Sequence, residues 1–236
     1  MFSKSSRPRH QMMSLNLYRP ISPWYDMPDY LEPDIPAKQR EGVNLALRYL
    51  KQGKALPIWQ ALGDALCWIQ RRGGLVGNVT LLDAGCSSAY CYEVIEHYVP
   101  AWVRYTGLDH SGYMIKEAAH HYPGLQIDLG NITDMPYEDK AFDIVMSGAT
   151  LNHIYEWQTA LRELARVTSW YLLLHRLPLT DEPTRYEEAE AYDHPILAIF
   201  FNKEEFSEIL TGEGFECVWD EPVLDLKTQI WERAAA

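Results

Sequence analysis

No apolar run in this 236-residue chain is longer than the six residues Ile196–Phe201. A membrane-spanning helix needs about 20 such residues, so no membrane association is predicted. Cysteine is scarce as well. The four present are Cys67, Cys86, Cys91 and Cys217, none in a CxxC pair and none beside histidines at zinc-ligand spacing. That pattern argues against a disulfide-stapled scaffold and a zinc ribbon; it predicts reduced thiols, a cytoplasmic location and no metal site. Positive charge is short. Lys and Arg number 21 against 33 Asp and Glu, for a net charge of −12. Four of the basic residues, Lys4, Arg7, Arg9 and Arg19, fall in the first 25 positions, which hold no acid. The remainder is more acidic still and offers no broad surface for a phosphate backbone, so no nucleic-acid partner is predicted.

What is present is a core. At 47% hydrophobic and 12% aromatic, the chain can bury one large domain without staples. Residues 1–36 read as an arm rich in Pro and Tyr toward its end. Residues 37–76 read as a helical extension, with Val43, Leu47 and Leu50 on one stripe and Trp59, Leu62, Leu66 and Ile69 on the next. From 77 to 236 the pattern becomes strand and helix in alternation. Strands are predicted at 79–84, 103–108, 125–128, 142–147 and 170–175. A loop-rich insert of about 25 residues is expected to follow, then a helix capped by Asn202 with Glu205 three residues on. The last two strands, 215–219 and 224–231, are joined by too few residues for a parallel crossover, so they should be antiparallel.

The most informative stretch is Leu81-Leu82-Asp83-Ala84-Gly85-Cys86-Ser87-Ser88-Ala89. A buried strand ends in an acid, turns through small residues and enters a helix, which brings bare backbone amides up to a ligand. The next strand ends at Asp109, 26 residues after Asp83, where a carboxylate can accept from both hydroxyls of a ribose. A dinucleotide dehydrogenase wants Gly-x-Gly-x-x-Gly here, and this turn does not supply it.

These residues resemble the first motif of the class I S-adenosylmethionine-dependent methyltransferases. The likeness continues through Gly130-Asn131-Ile132, the segment from Met135 to Val145, the step Leu151-Asn152-His153, and the closing stretch Asn202–Phe215. It implies an α/β fold: a Rossmann-like, seven-stranded, mostly parallel sheet with an antiparallel C-terminal hairpin and an N-terminal helical extension. It implies S-adenosyl-L-methionine as cofactor, held by Asp83, Gly85, Cys86 and Ser87 at the turn. Asp109 and His110 would serve the ribose side, Asn131 and Ile132 the adenine side, and Ser147 the fourth strand's end. Ser87 and Ala89 stand where the family carries glycine, and Asn131 where it commonly carries Asp, so weakened binding is expected.

The acceptor is expected to be a small molecule, with a hydroxyl first. His153 and His175, at the ends of two strands, are the candidate general bases. Tyr18, Tyr25 and His194 are candidates for the acceptor pocket. The chain is expected to be a monomer or homodimer. The rival reading is a non-catalytic cofactor-binding or scaffold protein that keeps the fold, and its support is the substituted glycines.

Overall fold

The structure, a computed structural model, describes residues 19–20, 31–72, 75 and 77–234. The two apolar stripes near the N-terminus become helices α1 (Ile35–Lys51) and α2 (Pro57–Arg72). Pro36 and Pro57 sit in their first turns, where a missing N–H is harmless. Before them only a two-residue strand, β1 (Arg19–Pro20), is described. Tyr18 and Tyr25, both expected to line the acceptor pocket, lie outside the described residues.

The alternating region follows in order. It runs β2 (Val79–Ala84), α3 (Cys91–Tyr98), β3 (Val103–Asp109), α4 (Gly112–His121), β4 (Gln126–Leu129), β5 (Phe142–Gly148), a 3-10 turn (Leu151–His153), α5 (Trp157–Val167) and β6 (Thr168–Leu177). The chain then passes through β7 (Leu179–Thr180), β8 (Arg185–Ala191), β9 (His194–Asn202), α6 (Lys203–Gly212), β10 (Phe215–Val223) and β11 (Leu226–Arg233). The main sheet has seven strands in the order β10-β11-β6-β5-β2-β3-β4. Its first five strands in sequence pair in parallel, and β11 runs antiparallel to both β6 and β10. Chain order reverses beside β2, so the carboxyl ends of β2, β3 and β5 mark the switch point at which open α/β sheets take ligands.

The sheet is apolar on both faces, as a parallel sheet between helices must be. Leu82, Val145, Leu172 and Leu174 pack toward α5 and α6. Their neighbours Leu81, Ile144, Met146 and Leu173 pack toward α2 and α3. Ser111 and Asn202 cap α4 and α6 as expected, accepting from the backbone amides of Met114 and Glu205.

Two expectations need correction. The insert is not loop-rich: β8 and β9 form a hairpin within a second, four-stranded sheet ordered β1-β8-β9-β7. Ala191 pairs with His194, leaving Tyr192 and Asp193 as a two-residue turn with φ of 56° and 65°. A turn with both central residues left-handed matches strand twist, but its usual signature is Asn-Gly, which this sequence lacks. The closing hairpin also turns later than expected. Val223 pairs with Leu226, so β10 runs straight through Pro222. Pro222 is tolerated because β10 is an edge strand.

Candidate cofactor and acceptor site

The turn after β2 hangs from the end of β3. Gly85 N and Cys86 N both donate to the Leu108 carbonyl, at 2.8 and 3.0 Å. Ser87 N donates to Asp109 Oδ2 at 2.7 Å, and Ser111 N to Asp109 Oδ1 at 2.9 Å. Asp109 therefore ties the turn to the start of α4. It is 8% exposed, and burial raises its pKa against the pull of these amides. Each carboxylate oxygen keeps a second acceptor site. His110 beside it is exposed, with Nδ1 3.7 Å from Asp109 Oδ1.

Gly85 is required. It has φ +78°, and an added Cβ would lie 2.3 Å from the Thr150 side chain. Ser87 and Ala89 hold the left-handed conformation without glycine, at φ 54° and 55°. That strain costs about 1–2 kcal/mol per residue. Neither side chain fills the space a bare backbone would leave. Ala89 is fully buried within the α2–α3 core, and the Ser87 hydroxyl turns to Gln39 of α1, donating to Oε1 at 2.6 Å. Ser88 Oγ donates to the same oxygen at 3.0 Å. Gln39 thus seats the first turns of α1 on the motif. Nothing in the sequence around Gln39 signals this, because the contact spans nearly 50 residues (|i−j| of 48 and 49).

Asp83 faces the other way. Tyr105 Oη donates to its Oδ2 at 2.8 Å, and at 2% exposure its pKa is pushed up to about 7, by burial first. It supports the turn from below. Cys86 is buried too, which holds its thiol neutral. Ser147 donates to the Ala84 carbonyl at 3.0 Å and is 2% exposed, so its hydroxyl pins β5 to β2. Ile132 packs in the core and can offer only backbone. Asn131 is exposed, with Oδ1 accepting from Thr133 N at 3.0 Å, and lies beyond the exposed Leu129.

The two histidines expected as bases are placed as struts. His175 is 3% exposed inside the sheet, its Nδ1 2.8 Å from Thr228 Oγ1, and burial drives its pKa down to about 3. His153 Nδ1 lies 2.6 Å from the Leu197 carbonyl, which can only accept, so the hydrogen is on Nδ1. Its Nε2 then receives Asn152 Nδ2 at 3.1 Å. Burial pushes the His153 pKa down to about 4. Both rings are neutral at pH 7, and their Nδ1 hydrogen bonds tie one element to another.

His194 lies at the hairpin tip and latches α1. Its Nε2 is 3.1 Å from Asp34 Oδ1. Lys38 Nζ reaches Asp34 and Asp193, each at 2.9 Å, and the Tyr192 carbonyl at 3.0 Å. Lys38 and then His194 hold the Asp34 pKa down at about 2. The hairpin and α1 together thus close over the turn.

Two residues escaped the sequence reading. One is Gln39. The other is Arg176, one position past His175 at the carboxyl end of β6, where the only available signal was its place on the rim. Its Nη2 donates to Tyr90 Oη at 3.3 Å and to the Gly148 carbonyl at 3.4 Å. Tyr90 in turn stacks on Trp59 at 6.4 Å between ring centroids.

Comparison with known proteins agrees with this geometry. A family model described as a methyltransferase domain matches residues 82–169, from β2 into β6. A probable S-adenosylmethionine-dependent methyltransferase of Mycolicibacterium smegmatis is 26% identical over 139 residues, which is 58% of this chain and 51% of that protein. The malonyl-[acyl-carrier protein] O-methyltransferase of Serratia marcescens is 36% identical over 133 residues, 50% of this chain and 49% of that protein. The chain spans about half the length of the curated relatives it matches. Among solved structures, S-adenosylmethionine-bound CalS10, an amino pentose methyltransferase from Micromonospora echinaspora, shares the fold with a TM-score of 0.58 at 18% identity. That likeness covers 79% of this chain and 95% of CalS10. Residues 82–169 thus match a methyltransferase domain, and the relatives and the shared fold support a class I S-adenosylmethionine-dependent methyltransferase domain with S-adenosyl-L-methionine as its cofactor.

Proposed function

We propose that the chain methylates a small-molecule acceptor whose nucleophile is ionised before it reacts. The observation that carries the proposal is the turn itself. Gly85 admits no side chain, Ala89 turns its methyl into the core, and Asp109 stands at the base of the turn with acceptor capacity left on both oxygens. The donor set fits the cofactor. Asp109 would hold the ribose hydroxyls, Asn131 the polar edge of adenine, and the backbone at Gly85–Ser87 the methionine end. When bound, the cofactor supplies an activated methyl carbon with a sulfide leaving group.

The chain's own contribution is placement, which can provide roughly 7–11 kcal/mol when reacting atoms are aligned. A hydroxyl acceptor, the first expectation, would also need a base to remove its proton. His153 and His175 suit that need poorly: burial holds their pKa values down at about 4 and about 3, which makes them weak bases, and both nitrogens of His153 and Nδ1 of His175 are in structural contacts. A carboxylate or thiolate needs no base, which favours those acceptors. The Serratia relative, an O-methyltransferase of malonyl-[acyl-carrier protein] by name, is compatible with this reading. The net charge of −12 supports a metabolite over a nucleic acid. No helix among the described residues is long and apolar enough to cross a membrane.

A second reading rests on one observation. Gln39 seats α1 on the motif through both Ser87 and Ser88, as it would in a protein that keeps the fold as a scaffold. Calorimetry with S-adenosylhomocysteine separates the two. Micromolar binding that Asp109→Ala abolishes supports the enzyme. No heat with wild type, and none with Gln39→Ala, supports the scaffold.

A further inference from the structure

The cleft holds one side chain that the cofactor reading does not use and the local structure takes trouble to place. Along β6 and β11, Thr228 pairs with His175 and Lys227 with Leu177, so Arg176 is an extra residue bulged out of the ladder. It has φ +61°, the left-handed conformation that such bulges usually reserve for glycine. A bulge re-aims a side chain, and here it carries the guanidinium off the sheet edge to Gly148 and Tyr90 at the carboxyl ends of the strands.

The surroundings of Arg176 lack the charge it would be expected to have. Arg40, a buried arginine near the site, lies 3.5 Å from Glu93 Oε1 and over the Tyr122 ring at 5.2 Å. Arg176 is half-buried and has no carboxylate partner among the described residues. Its neighbours are neutral: burial raises the pKa of the Tyr90 hydroxyl and the Cys91 thiol, and lowers that of His153 and His175. A half-buried cation with no carboxylate beside it leaves its charge for an anionic ligand to complete.

We infer that Arg176 is a specificity-determining residue that takes the carboxylate of an anionic acceptor, which its bulged backbone presents to the mouth of the cleft beside Tyr90 and Gly148. The guanidinium fork suits a planar carboxylate, and among the described residues only its Nη2 is engaged in hydrogen bonds. This rests on the proposed function above and narrows it from any ionised nucleophile to carboxylic acids.

The test compares matched ligands on the full chain saturated with S-adenosylhomocysteine. The probes are benzoate with benzamide, phenylacetate with phenylacetamide and octanoate with octanamide, and phenyl phosphate forms a separate arm. Binding is read by calorimetry, with no turnover required. In at least one pair the carboxylate should bind wild type roughly tenfold or more tightly than its amide. Arg176→Gly should bring that ratio close to one, and Arg176→Lys should keep part of it. The glycine variant relieves the left-handed strain, so its melting temperature should equal or exceed that of wild type, which sets aside misfolding. Carboxylates no tighter than amides in every pair, or a preference that survives Arg176→Gly, would overturn the inference. Binding of phenyl phosphate alone would overturn it in favour of a phosphate monoester. The S-adenosylhomocysteine isotherm is recorded first: its failure refutes the cofactor reading, while the ligand pairs still test Arg176 without it.

Discussion

The two sides of the cleft are built from the same unusual ingredient and held in opposite ways. On the side proposed for the cofactor, Ser87 and Ala89 are non-glycine residues at positive φ; on the side proposed for the acceptor, Arg176, Tyr192 and Asp193 are. The first pair is fixed from within, by the Asp109 carboxylate that accepts from Ser87 N, the Cys86 carbonyl that accepts from Ala89 N, and a buried methyl. The hairpin tip on the second side is fixed from without, by Lys38, Asp34 and Asp193 at the surface. Buried hydrogen bonds to a charged group are worth about 1.5–3 kcal/mol each, and exposed ion pairs contribute little. The difference sets an expected order of opening: the turn, a seat held by buried bonds, should open last, and the hairpin end of the wall it forms with α1, held by exposed ion pairs, first.

The largest effect should follow from breaking the rigid side. Asp109→Ala leaves the amides of Ser87 and Ser111 without acceptors in a buried setting. Each orphaned amide costs about 1–3 kcal/mol, so denaturant unfolding should show a loss of about 3 kcal/mol. Binding of S-adenosylhomocysteine should fall below detection in the same variant. A stability loss with binding intact would mean that Asp109 is only a turn clamp.

Next comes acid. His175 titrates near 3 in the folded chain, well below its unfolded value of about 6.5. The unfolded chain therefore binds the proton first, and the stability tied to neutral His175 is complete above pH 6.5 and lost as pH falls toward 3. Between pH 7 and 5 the loss amounts to about 2 kcal/mol. His153 acts in the same sense, while Asp83, its pKa raised to about 7, opposes both, because its protonated form is the one the fold favours. Replacing His175 with Phe also removes the bond to Thr228. The pH slope of the variant against wild type, rather than its absolute stability, is therefore the measurement. The gap between them should narrow by about 2 kcal/mol from pH 7 to pH 5. An unchanged slope would show that His175 takes up its proton normally and faces solvent.

The contrast also explains what the sequence disclosed. The seat is local: strand, acid, small-residue turn and helix follow one another from Val79 to Cys91, so Asp83 and Gly85 stand out by pattern, and Asp109 by its place at the end of the next strand. The roles of those acids were less legible. Asp83 was expected to face the cofactor, and only the tertiary position of Tyr105 turns it into a buried support. The wall is non-local. Gln39 meets Ser87, and Lys38 meets Asp193, across spans that no periodicity encodes. The hairpin between β6 and α6 was hidden because Arg185–Ala191 is rich in glutamate and alanine, poor strand formers, and its turn carries Tyr-Asp. His175 was misjudged for a related reason. A strand-end position reads as the rim of a cleft, but the bulge at Arg176 sends the next side chain outward and leaves His175 inside the sheet.

A smaller effect is expected where seat and wall touch. Gln39→Ala removes the acceptor of both the Ser87 and Ser88 hydroxyls. Ser88 is fully buried, so the loss should be about 1 kcal/mol. If α1 gates the turn, stopped-flow fluorescence should show faster association of S-adenosylhomocysteine in this variant, with the dissociation rate changed less. Slower association would make Gln39 part of the binding surface rather than part of its cover.

The smallest thermodynamic effect lies in the latch, where the readout has to be dynamic. Lys38, Asp34 and Asp193 are solvent-exposed and span α1 and the hairpin tip through contacts of 2.9 Å. Screening at 1 M salt shortens the Debye length to about 3 Å, enough to weaken these pairs while leaving the buried bonds at Asp109 alone. Asp193→Asn should leave the melting temperature within error yet raise amide hydrogen exchange across residues 35–40 and 192–196. Added salt should produce the same pattern in wild type and little further change in the variant. Exchange that rises equally at Gly85–Ser87 would mean that the seat and the wall open as one unit, and the division drawn between them would not hold.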